Sequence, residues 1–483
     1  MEARAGAVAI KTRPWGLTMD HVWTLSVVLV SVAVGLAARM GTVDLAYHVR
    51  AGASILSSGH LPGVDTYTFS VAGRSWLDQQ WVAQVIIASA YRVGGWPGVA
   101  LLHAALVAAT FWLIFLACRA RGASALAGAV LTFAGFLVSF PNTGMRPQLI
   151  AYPLFAATIW ILADRRSHPR RLWVLPAIVA CWANIHGSFA LAPFMIGLAW
   201  LEDRRGHATT ARVTLGVGAA ALLATLANPW GIGAWRYAVG ITTNSRILDQ
   251  IQEWEPTSIR SVPGALFFVS ALVVIAVLVR RKQPTDAFSL VWLGAFFVLA
   301  LPALRGVVWW GLVFPVVLAG LVTQPEEGQD RRGKPAFNTL IVVALLAFIA
   351  IELPWWRDRP DPVSGSSALL QVAPQGLVGA TLRELPAGAR VFVSQPFASW
   401  FEFAAPSRAV FVDARIELFP DAVWTNYDDV MTGRDGWQDI LDRWRVDGVA
   451  LRAEDTTIAS LIAKDPGWRL AYRDDLGRLY VRV

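Results

Sequence analysis

Long apolar runs recur through the first three quarters of this chain, and they constrain its fold more than any other feature. A helix that crosses a bilayer needs about 20 consecutive, mostly apolar residues. Eleven runs are candidate spans: 22–38, 96–117, 122–141, 148–163, 172–185, 187–201, 212–228, 263–279, 287–301, 306–322 and 337–353. The short pair at 172–185 and 187–201 barely spans, so a tilted break or a re-entrant pair is the alternative there. The pattern predicts a mainly α-helical, polytopic membrane protein with about 11 transmembrane helices.

Composition agrees with this class and excludes several functions. Hydrophobic residues make up 55% of the chain and charged residues 16%, whereas soluble proteins carry roughly 25% charged residues. The chain contains no phosphate-binding glycine loop of the kind that ATP-driven pumps use. Acidic residues do not recur in the middle of the spans, as ion-coupled carriers usually require. The two cysteines, Cys118 and Cys181, lie in membrane-associated segments and predict neither a disulfide framework nor a zinc site.

Basic residues in the short loops predict how the chain is oriented in the membrane. With the N-terminus inside, 18 basic residues fall in short cytoplasmic segments, among them 4–13, 164–171 and 331–334. The opposite side carries about half as many in considerably longer loops, so this one orientation satisfies the positive-inside rule at every loop. The first loop, 42–95, and everything after Pro354 then face outward.

The outward first loop begins with an ionisable pair, Asp44 and His48. Apolar residues recur at helical spacing along one side of this stretch: Leu45, Val49, Gly52 and Leu56. The pattern predicts a helix lying on the membrane surface, with Asp44 and His48 on its polar side and Gly59 at its end. A second amphipathic stretch, which begins WLDQQWVAQ, returns the chain to the bilayer.

The composition changes after the last candidate span. A linker at 354–367 leads into a region, 368–483, in which short β-like runs alternate with helical stretches. The β-like runs read RVFVSQ, AVFVDARIE, DGVALR, WRLAYRD and RLYVRV. The alternation predicts a small extracytoplasmic α/β domain with a partly parallel sheet. Asp413 and Arg415 directly follow one predicted strand, where α/β folds often place ligand contacts; an ion pair within 413–417 is the structural alternative.

Polar and charged side chains gather at the outward ends of the spans. They are Asp44, His48, Asn142, Arg146, Asn184, His186, Asn228, Glu253, Glu255 and Arg305. These residues come from separate spans but share one level. That arrangement suits a reaction at the outer membrane surface, with a substrate delivered by the lipid phase.

Several short segments together resemble the GT-C glycosyltransferases, and within them a bacterial branch near the RgtA/B/C/D-like proteins. The segments are DLAYHVRAG, VDTYTFSVAGRSWLDQQW, MRPQL, WANIHGSF, NPWG with EWEP, and FVDARIELFP. The resemblance covers nearly the whole chain and implies a GT-C-like membrane domain over residues 1–353. It also implies inverting transfer of a sugar from a polyprenyl-phosphate donor to an extracytoplasmic acceptor at the bacterial inner membrane. In one departure, Gln80 and Gln84 stand where the family pattern has Glu, which leaves Asp78 as the only carboxylate of that segment.

By this resemblance, Asp44 is the general base that deprotonates the acceptor hydroxyl. The alternative is that Asp44 only caps the surface helix. His48 lies one helical turn further and is predicted to orient Asp44 or to help hold a divalent cation, Mg or Mn; a merely polar role is the alternative. Asp65 and Asp78 are candidates for a second acidic group, although Asp65 equally suits a turn.

The leaving group would be a polyprenyl phosphate or a similar anion, which needs fixed positive charge. Arg146 and Arg305, each at the outward end of a span, are the candidates; arginines at such ends also snorkel to the interface. His186 and Asn184 lie at the break between the two short runs, where irregular backbone implies a lined cavity. Glu253 is a further substrate-binding candidate, and solvation of an outward loop is its alternative.

The predicted partners are membrane lipid, the polyprenyl-phosphate sugar donor, and a glycan, lipid or protein acceptor, with no nucleic acid. Two other functions stay open: a non-catalytic scaffold of the cell envelope, and a transporter or flippase for lipid-linked glycans. A flippase should carry charged residues through the bilayer thickness and show two similar halves, and the sequence has neither. A secondary transporter should show inverted repeats, of which the NIHGSF break is the only hint. A scaffold would not need Asp44.

Overall fold

The computed structural model describes residues 16–244, 252–322 and 333–483. The basic residues predicted for the cytoplasmic side at 4–13 and 331–332 lie outside the described residues. The helices before the C-terminal region are α1 (Met19–Ala37), α2 (Leu45–Ser58), α3 (Trp81–Ala120), α4 (Ala125–Ser139), α5 (Pro147–Ala163), α6 (Leu175–Trp182), α7 (Leu191–Arg205), α8 (Ala211–Ala224), α9 (Gly233–Thr243), α10 (Val262–Arg280), α11 (Ala287–Ala300), α12 (Val307–Ala319) and α13 (Pro335–Ile351).

Each predicted span contains a helix, which confirms the mainly helical class; the number of crossings stays a prediction. By length and composition, four described segments are apolar and long enough to cross a membrane: Met19–Ala37, Trp81–Ala120, Ala125–Asn142 and Val262–Arg280. Shorter apolar helices in the described residues are Pro147–Ala163, Ala211–Ala224, Ala287–Ala300, Leu304–Ala319 and Pro335–Ile351. The short pair of runs holds the 8-residue α6 and the 15-residue α7, with a 3-10 helix (Gly187–Ala190) between them. The tilted break or re-entrant pair stays a prediction.

Helix α3 joins two stretches that the sequence separates, the amphipathic return segment and the second candidate span. It runs for 40 residues with a sharp kink at Gly95, whose φ of 59° and ψ of −150° are not helical. A positive φ favours glycine, and Pro97 lacks the amide that a regular helix would use. The kink therefore separates the amphipathic part of α3 from the candidate span.

The C-terminal region forms the small α/β domain that its alternating pattern predicts. Its elements are α14 (Pro354–Arg357), α15 (Gln375–Glu384), β1 (Arg390–Val393), α16 (Gln395–Ala404), β2 (Ala409–Val410), α17 (Asp421–Thr432), α18 (Trp437–Arg443), β3 (Gly448–Arg452), α19 (Thr456–Ile462), β4 (Trp468–Arg473) and β5 (Gly477–Arg482). The strands form one sheet in the order β2–β1–β3–β5–β4. Strands β2, β1 and β3 are parallel, and β5 is antiparallel to β3 and β4. The sheet is therefore partly parallel, as predicted; the linker and domain boundaries stay predictions.

Helix α2 does not present its apolar stripe to the membrane, as the sequence predicts, but packs it against the protein. Leu45 and Val49 are 1% and 2% exposed, and α2 lies along α3. At Gly52 a Cβ atom would stand 2.1 Å from the backbone oxygen of Gln84, so this close approach requires glycine. Leu56, the last residue of the stripe, is exposed. The surface-helix prediction is wrong in this respect because α3, rather than lipid, covers the apolar side.

The rest of the first loop packs on the C-terminal domain and shares a hydrophobic core with it. The amide of Phe69 donates to the carbonyl of Val410 at 3.0 Å, and the amide of Val410 donates to the carbonyl of Tyr67 at 3.4 Å, so the loop runs beside β2. The buried side chains of Tyr67 and Trp76 pack in the same core as Phe411. This contact brings the C-terminal domain next to the helix ends that the sequence predicts to face outward.

Candidate active site

A cavity of about 710 Å³ lies where the helix ends next to the first loop meet the C-terminal domain. Its wall comes from the starts of α2 and α5, the turn between α6 and α7, helix α9, the segments before α10 and α12, and the C-terminal domain. Seven of the site residues predicted from the sequence line it: Asp44, His48, Arg146, His186, Glu253, Arg305 and Arg415. Residues far apart in the chain thus meet in one place.

Asp44 is accessible from the cavity and contacts an arginine. Its side chain is 27% exposed, and Oδ2 lies 3.2 Å from Nε of Arg146. Arg146 also forms an ion pair with Glu253 through Nη1. Asp44 occupies the N-cap position of α2, but its side chain accepts no capping hydrogen bond. The contact with Arg146, rather than helix capping, therefore accounts for the position of this carboxylate.

Arg305 is the second cation at this end of the cavity, and two uncharged neighbours hold it. Its Nη2 donates to Oε1 of Gln148 at 2.8 Å. Its guanidinium carbon lies 4.5 Å from the centre of the Trp254 ring, a distance at which the ring attracts a cation. Both arginines line the cavity, where an entering anion would meet fixed positive charge.

The histidines of the site line the same cavity. Burial, and after it the positive charge of Arg146, lower the pKa of His48 to about 3, so its ring is neutral at physiological pH. The ring lies against Tyr47, with ring centres 4.1 Å apart. His186 accepts hydrogen bonds at Nδ1 from the amide and the hydroxyl of Ser188. These side chains are therefore positioned as polar groups, and His48 adds no further charge.

Asp65 and Asp413 are not part of the described cavity wall; they hold Arg415 instead. The side chain of Asp65 is fully buried, and its Oδ1 lies 2.5 Å from Nη2 of Arg415. Asp413 accepts from Nε of Arg415 at 3.0 Å and from its amide at 2.7 Å. Asp65 also accepts from the amide and hydroxyl of Thr68, which is the turn geometry that the sequence offers as an alternative. This buried ion cluster joins the first loop to the C-terminal domain.

Asn184 and Asp78 lie behind the described cavity wall. Asn184 accepts from the indole of Trp81 at 3.0 Å and donates to two backbone carbonyls at 2.8 Å, which ties α3 to the break after α6. Asp78 is 3% exposed and accepts from Nε2 of Gln84 at 2.8 Å. Burial raises the pKa of Asp78 to about 7. The glutamine that departs from the family pattern at position 84 is thus the hydrogen-bond partner of Asp78.

Glu417 and Tyr237 also line the cavity, although no sequence pattern singled them out. The hydroxyl of Tyr237 donates to Oε1 of Glu417 at 2.8 Å. Burial raises the pKa of Glu417. The segment VDARIELFP contains Glu417, but the sequence predicts this residue only as an ion-pair partner of Arg415. Tyr237 lies in α9, outside any recognised motif.

A divalent cation would need several carboxylate, imidazole or thiolate ligands close together. Among the residues that the structure describes, no group of three or more His, Cys, Asp or Glu side chains is placed to hold a metal ion. Asp44 and Glu253 both pair with Arg146. The guanidinium group therefore lies where a metal ion bound by these two carboxylates would have to lie. The described side chains therefore form no fitting donor set, and a Mg or Mn cofactor stays a hypothesis.

Solved structures share this fold, although no protein-family model matches the chain and no curated protein matches its sequence. ArnT from Cupriavidus metallidurans bound to undecaprenyl phosphate matches with a TM-score of 0.52 and 14% identity, over 96% of this chain and 98% of that chain. The apo structure of ArnT matches with a TM-score of 0.51 and 15% identity, over 96% and 97%. Arabinofuranosyltransferase AftD from mycobacteria matches with a TM-score of 0.58 and 17% identity, over 96% of this chain and 42% of that chain.

ArnT and AftD are GT-C glycosyltransferases, so the chain has a GT-C fold. This confirms the fold that the resemblance of the sequence segments implies. At these identities the likeness establishes the fold alone. The narrower resemblance to the RgtA/B/C/D-like branch stays a prediction.

Proposed function

We propose that this chain is a membrane glycosyltransferase that takes a sugar from a polyprenyl-phosphate donor and attaches it to a hydroxyl of an extracytoplasmic acceptor. The observation that carries the proposal is the convergence of Asp44, Arg146 and Arg305 on one cavity at the outward ends of the helices. The ArnT structure supports a lipid-linked donor, because a protein of similar fold binds undecaprenyl phosphate.

The arginines supply the positive charge that the donor phosphate requires. Arg146 is neutralised by Asp44 and Glu253, whereas Arg305 contacts an uncharged amide and an indole ring. An entering phosphate would therefore bind Arg305 and compete with the two carboxylates for Arg146, since phosphate accepts strong, charge-assisted hydrogen bonds from arginine. The phosphate would thus be held next to Asp44.

Asp44 then accepts the proton of the acceptor. As the acceptor oxygen forms its bond to the anomeric carbon, its proton passes to the Asp44 carboxylate. The bond from that carbon to the phosphate oxygen breaks, and the electron pair leaves on the phosphate. Attack opposite the leaving phosphate inverts the anomeric configuration. The arginines stabilise the charge that develops on the phosphate, and His48, one turn along α2, is a positioning residue.

Basic residues at the opposite helix ends support a cavity that faces outward. Helix α5 begins beside Arg146 and ends before Arg165. At about 1.5 Å per residue, its 17 residues separate the two ends by about 25 Å. This supports a cytoplasmic N-terminus and an extracytoplasmic C-terminal domain in the inner membrane. Fusion reporters placed after residue 335 and after residue 360 should report opposite compartments; a cytoplasmic signal from both would overturn this orientation.

Lipid binding tests the proposed function. The full-length protein in nanodiscs that contain undecaprenyl phosphate should retain this lipid in native mass spectrometry. Arg305→Met should lower the retained fraction by about tenfold, because it removes charge-assisted hydrogen bonds. Arg469→Met is the matched control, since Arg469 pairs with Glu384 on the surface of the C-terminal domain. Full retention by Arg305→Met, or equal retention of uncharged undecaprenol, would refute the proposal.

A further inference from the structure

The two ends of the cavity differ in charge. Arg146 and Arg305 line the end formed by the helices, and Glu417 and Asp428 line the end formed by the C-terminal domain. Arg415 also reaches that second end, but Asp65 and Asp413 both pair with it, so its charge is already balanced. Glu417 therefore makes the C-terminal end the more acidic one, and a phosphate is better accommodated at the arginine end.

The side chains of the acidic end are fixed before any ligand arrives. The hydroxyl of Tyr237 holds Glu417 from the side of the helices at 2.8 Å. The backbone amide of Gln395 donates to the hydroxyl of Tyr427 at 2.8 Å. The indole of Trp424 donates to a backbone carbonyl at 3.2 Å. The rings of Trp424 and Tyr427 meet edge to face, with centres 5.7 Å apart. Groups held in this way bind a ligand without first losing conformational freedom.

The chemistry of this end matches a sugar. A carboxyl and an amide bind pairs of hydroxyl groups, and rigid aromatic side chains pack against the C–H groups of a pyranose ring. The cavity volume is about 710 Å³. Pockets of about 300–1,000 Å³ hold drug-sized ligands, which are larger than a phosphate with one sugar ring, so both groups fit in this cavity. Acidic sugars would be repelled by Glu417, which is a means of specificity.

We propose that Glu417, Tyr237, Gln395, Trp424, Tyr427 and Asp428 form a saccharide subsite that selects sugars without acidic substituents. The inference rests on the proposed function and adds to it the class of sugar. It places Glu417 as a specificity residue, distinct from Asp44 at the arginine end.

Saturation-transfer NMR on the full-length protein in nanodiscs tests the subsite, with methyl glucoside, methyl glucosaminide and methyl glucuronide as probes. The first two should bind, and the glucuronide should bind at least fivefold more weakly. Glu417→Gln should remove this discrimination, and Tyr237→Phe should weaken binding of methyl glucoside about threefold to tenfold, because it removes one hydrogen bond to the carboxyl. Glu384→Gln, a carboxylate on the surface of the same domain, should change neither.

Equal binding of the glucuronide and the glucoside, or discrimination that survives Glu417→Gln, would overturn the subsite. The undecaprenyl phosphate measurement on the same samples separates the two proposals. Lipid retained with no sugar discrimination refutes the subsite alone, and discrimination without lipid retention refutes the proposed function alone. Loading the protein with undecaprenyl phosphoryl glucose identifies the source of the sugar: continued binding of methyl glucoside assigns the subsite to the acceptor, and lost binding assigns it to the donor.

Discussion

Asp44 and Asp65 lie in the same loop, the first one, and both pair with an arginine, yet their surroundings differ. The Asp44 side chain is 27% exposed, and its partner Arg146 is 37% exposed and shared with Glu253. The Asp65 side chain is fully buried, and its partner Arg415 is 2% exposed. Asp65 also accepts hydrogen bonds from its own turn. A carboxylate with these partners and no access has no means of receiving a proton from a substrate.

Access and exchangeable partners, rather than the presence of an ion pair, separate a reactive carboxylate from a structural one. An exposed pair is worth about 0–1 kcal/mol, so a substrate can displace it at little cost. Breaking a buried pair costs about 3–5 kcal/mol, because a charge is left without a partner.

Asp44→Asn should have the largest effect, and the effect should be on activity. The amide keeps the shape of the side chain but does not accept the proton, so glycosyl transfer should fall by about 10²–10⁴-fold. The melting temperature should change little, because the ion pair is partly exposed. Transfer is measured from the sugar-loaded polyprenyl phosphate in nanodiscs. Glu384→Gln, which also neutralises a partly exposed ion pair, should leave transfer unchanged. If Asp44→Asn transferred the sugar at the wild-type rate, Asp44 would not be the general base, and another carboxylate would have that role.

Asp65→Asn should show the reverse pattern, a large loss of stability with lipid binding kept. Arg415 keeps Asp413 as a partner, so the loss of stability should be about 3 kcal/mol, near the lower end of the range for buried pairs. The protein that remains folded should still retain undecaprenyl phosphate. Thermal unfolding measures this loss, with Glu384→Gln as the control. Glu384→Gln should lose at most about 1 kcal/mol of stability. If Asp65→Asn were fully stable but inactive, Asp65 rather than Asp44 would belong to the reaction.

Asp78 is an intermediate case, since it is buried but hydrogen-bonded to a neutral glutamine. Burial raises its pKa from 3.8 to about 7 in the folded state. Between those values the unfolded chain ionises while the folded protein stays protonated, so the stabilising contribution is present at low pH and is lost as the pH rises towards 7. Asn does not titrate. Asp78→Asn should therefore gain about 3 kcal/mol relative to the wild type between pH 5 and pH 8. A difference in melting temperature that stays constant with pH would contradict this.

Much of the fold was predictable from the sequence because its signals are local. Apolar runs of membrane length mark the helices, and alternating short runs mark the partly parallel sheet. The positions of Asp44, Arg146 and Arg305 at span ends also predicted that they lie at one level. What the sequence could not show is which side chains tertiary contacts remove from solvent. Burial of Asp65 depends on Arg415, which is distant in the chain, and the role of Glu417 depends on Tyr237 in another helix.

The smallest expected effect comes from the second carboxylate on Arg146. Glu253 and the donor phosphate would compete for the same guanidinium, whereas Asp44 is proposed to take the acceptor proton. Glu253→Gln removes the competing charge but not the base. Because the pair is about one-third exposed, the gain in undecaprenyl phosphate affinity should not exceed about fivefold, the equivalent of about 1 kcal/mol. KM for the donor should fall by a similar factor while kcat stays near its wild-type value. A kcat reduced as strongly as in Asp44→Asn would instead give Glu253 the catalytic role.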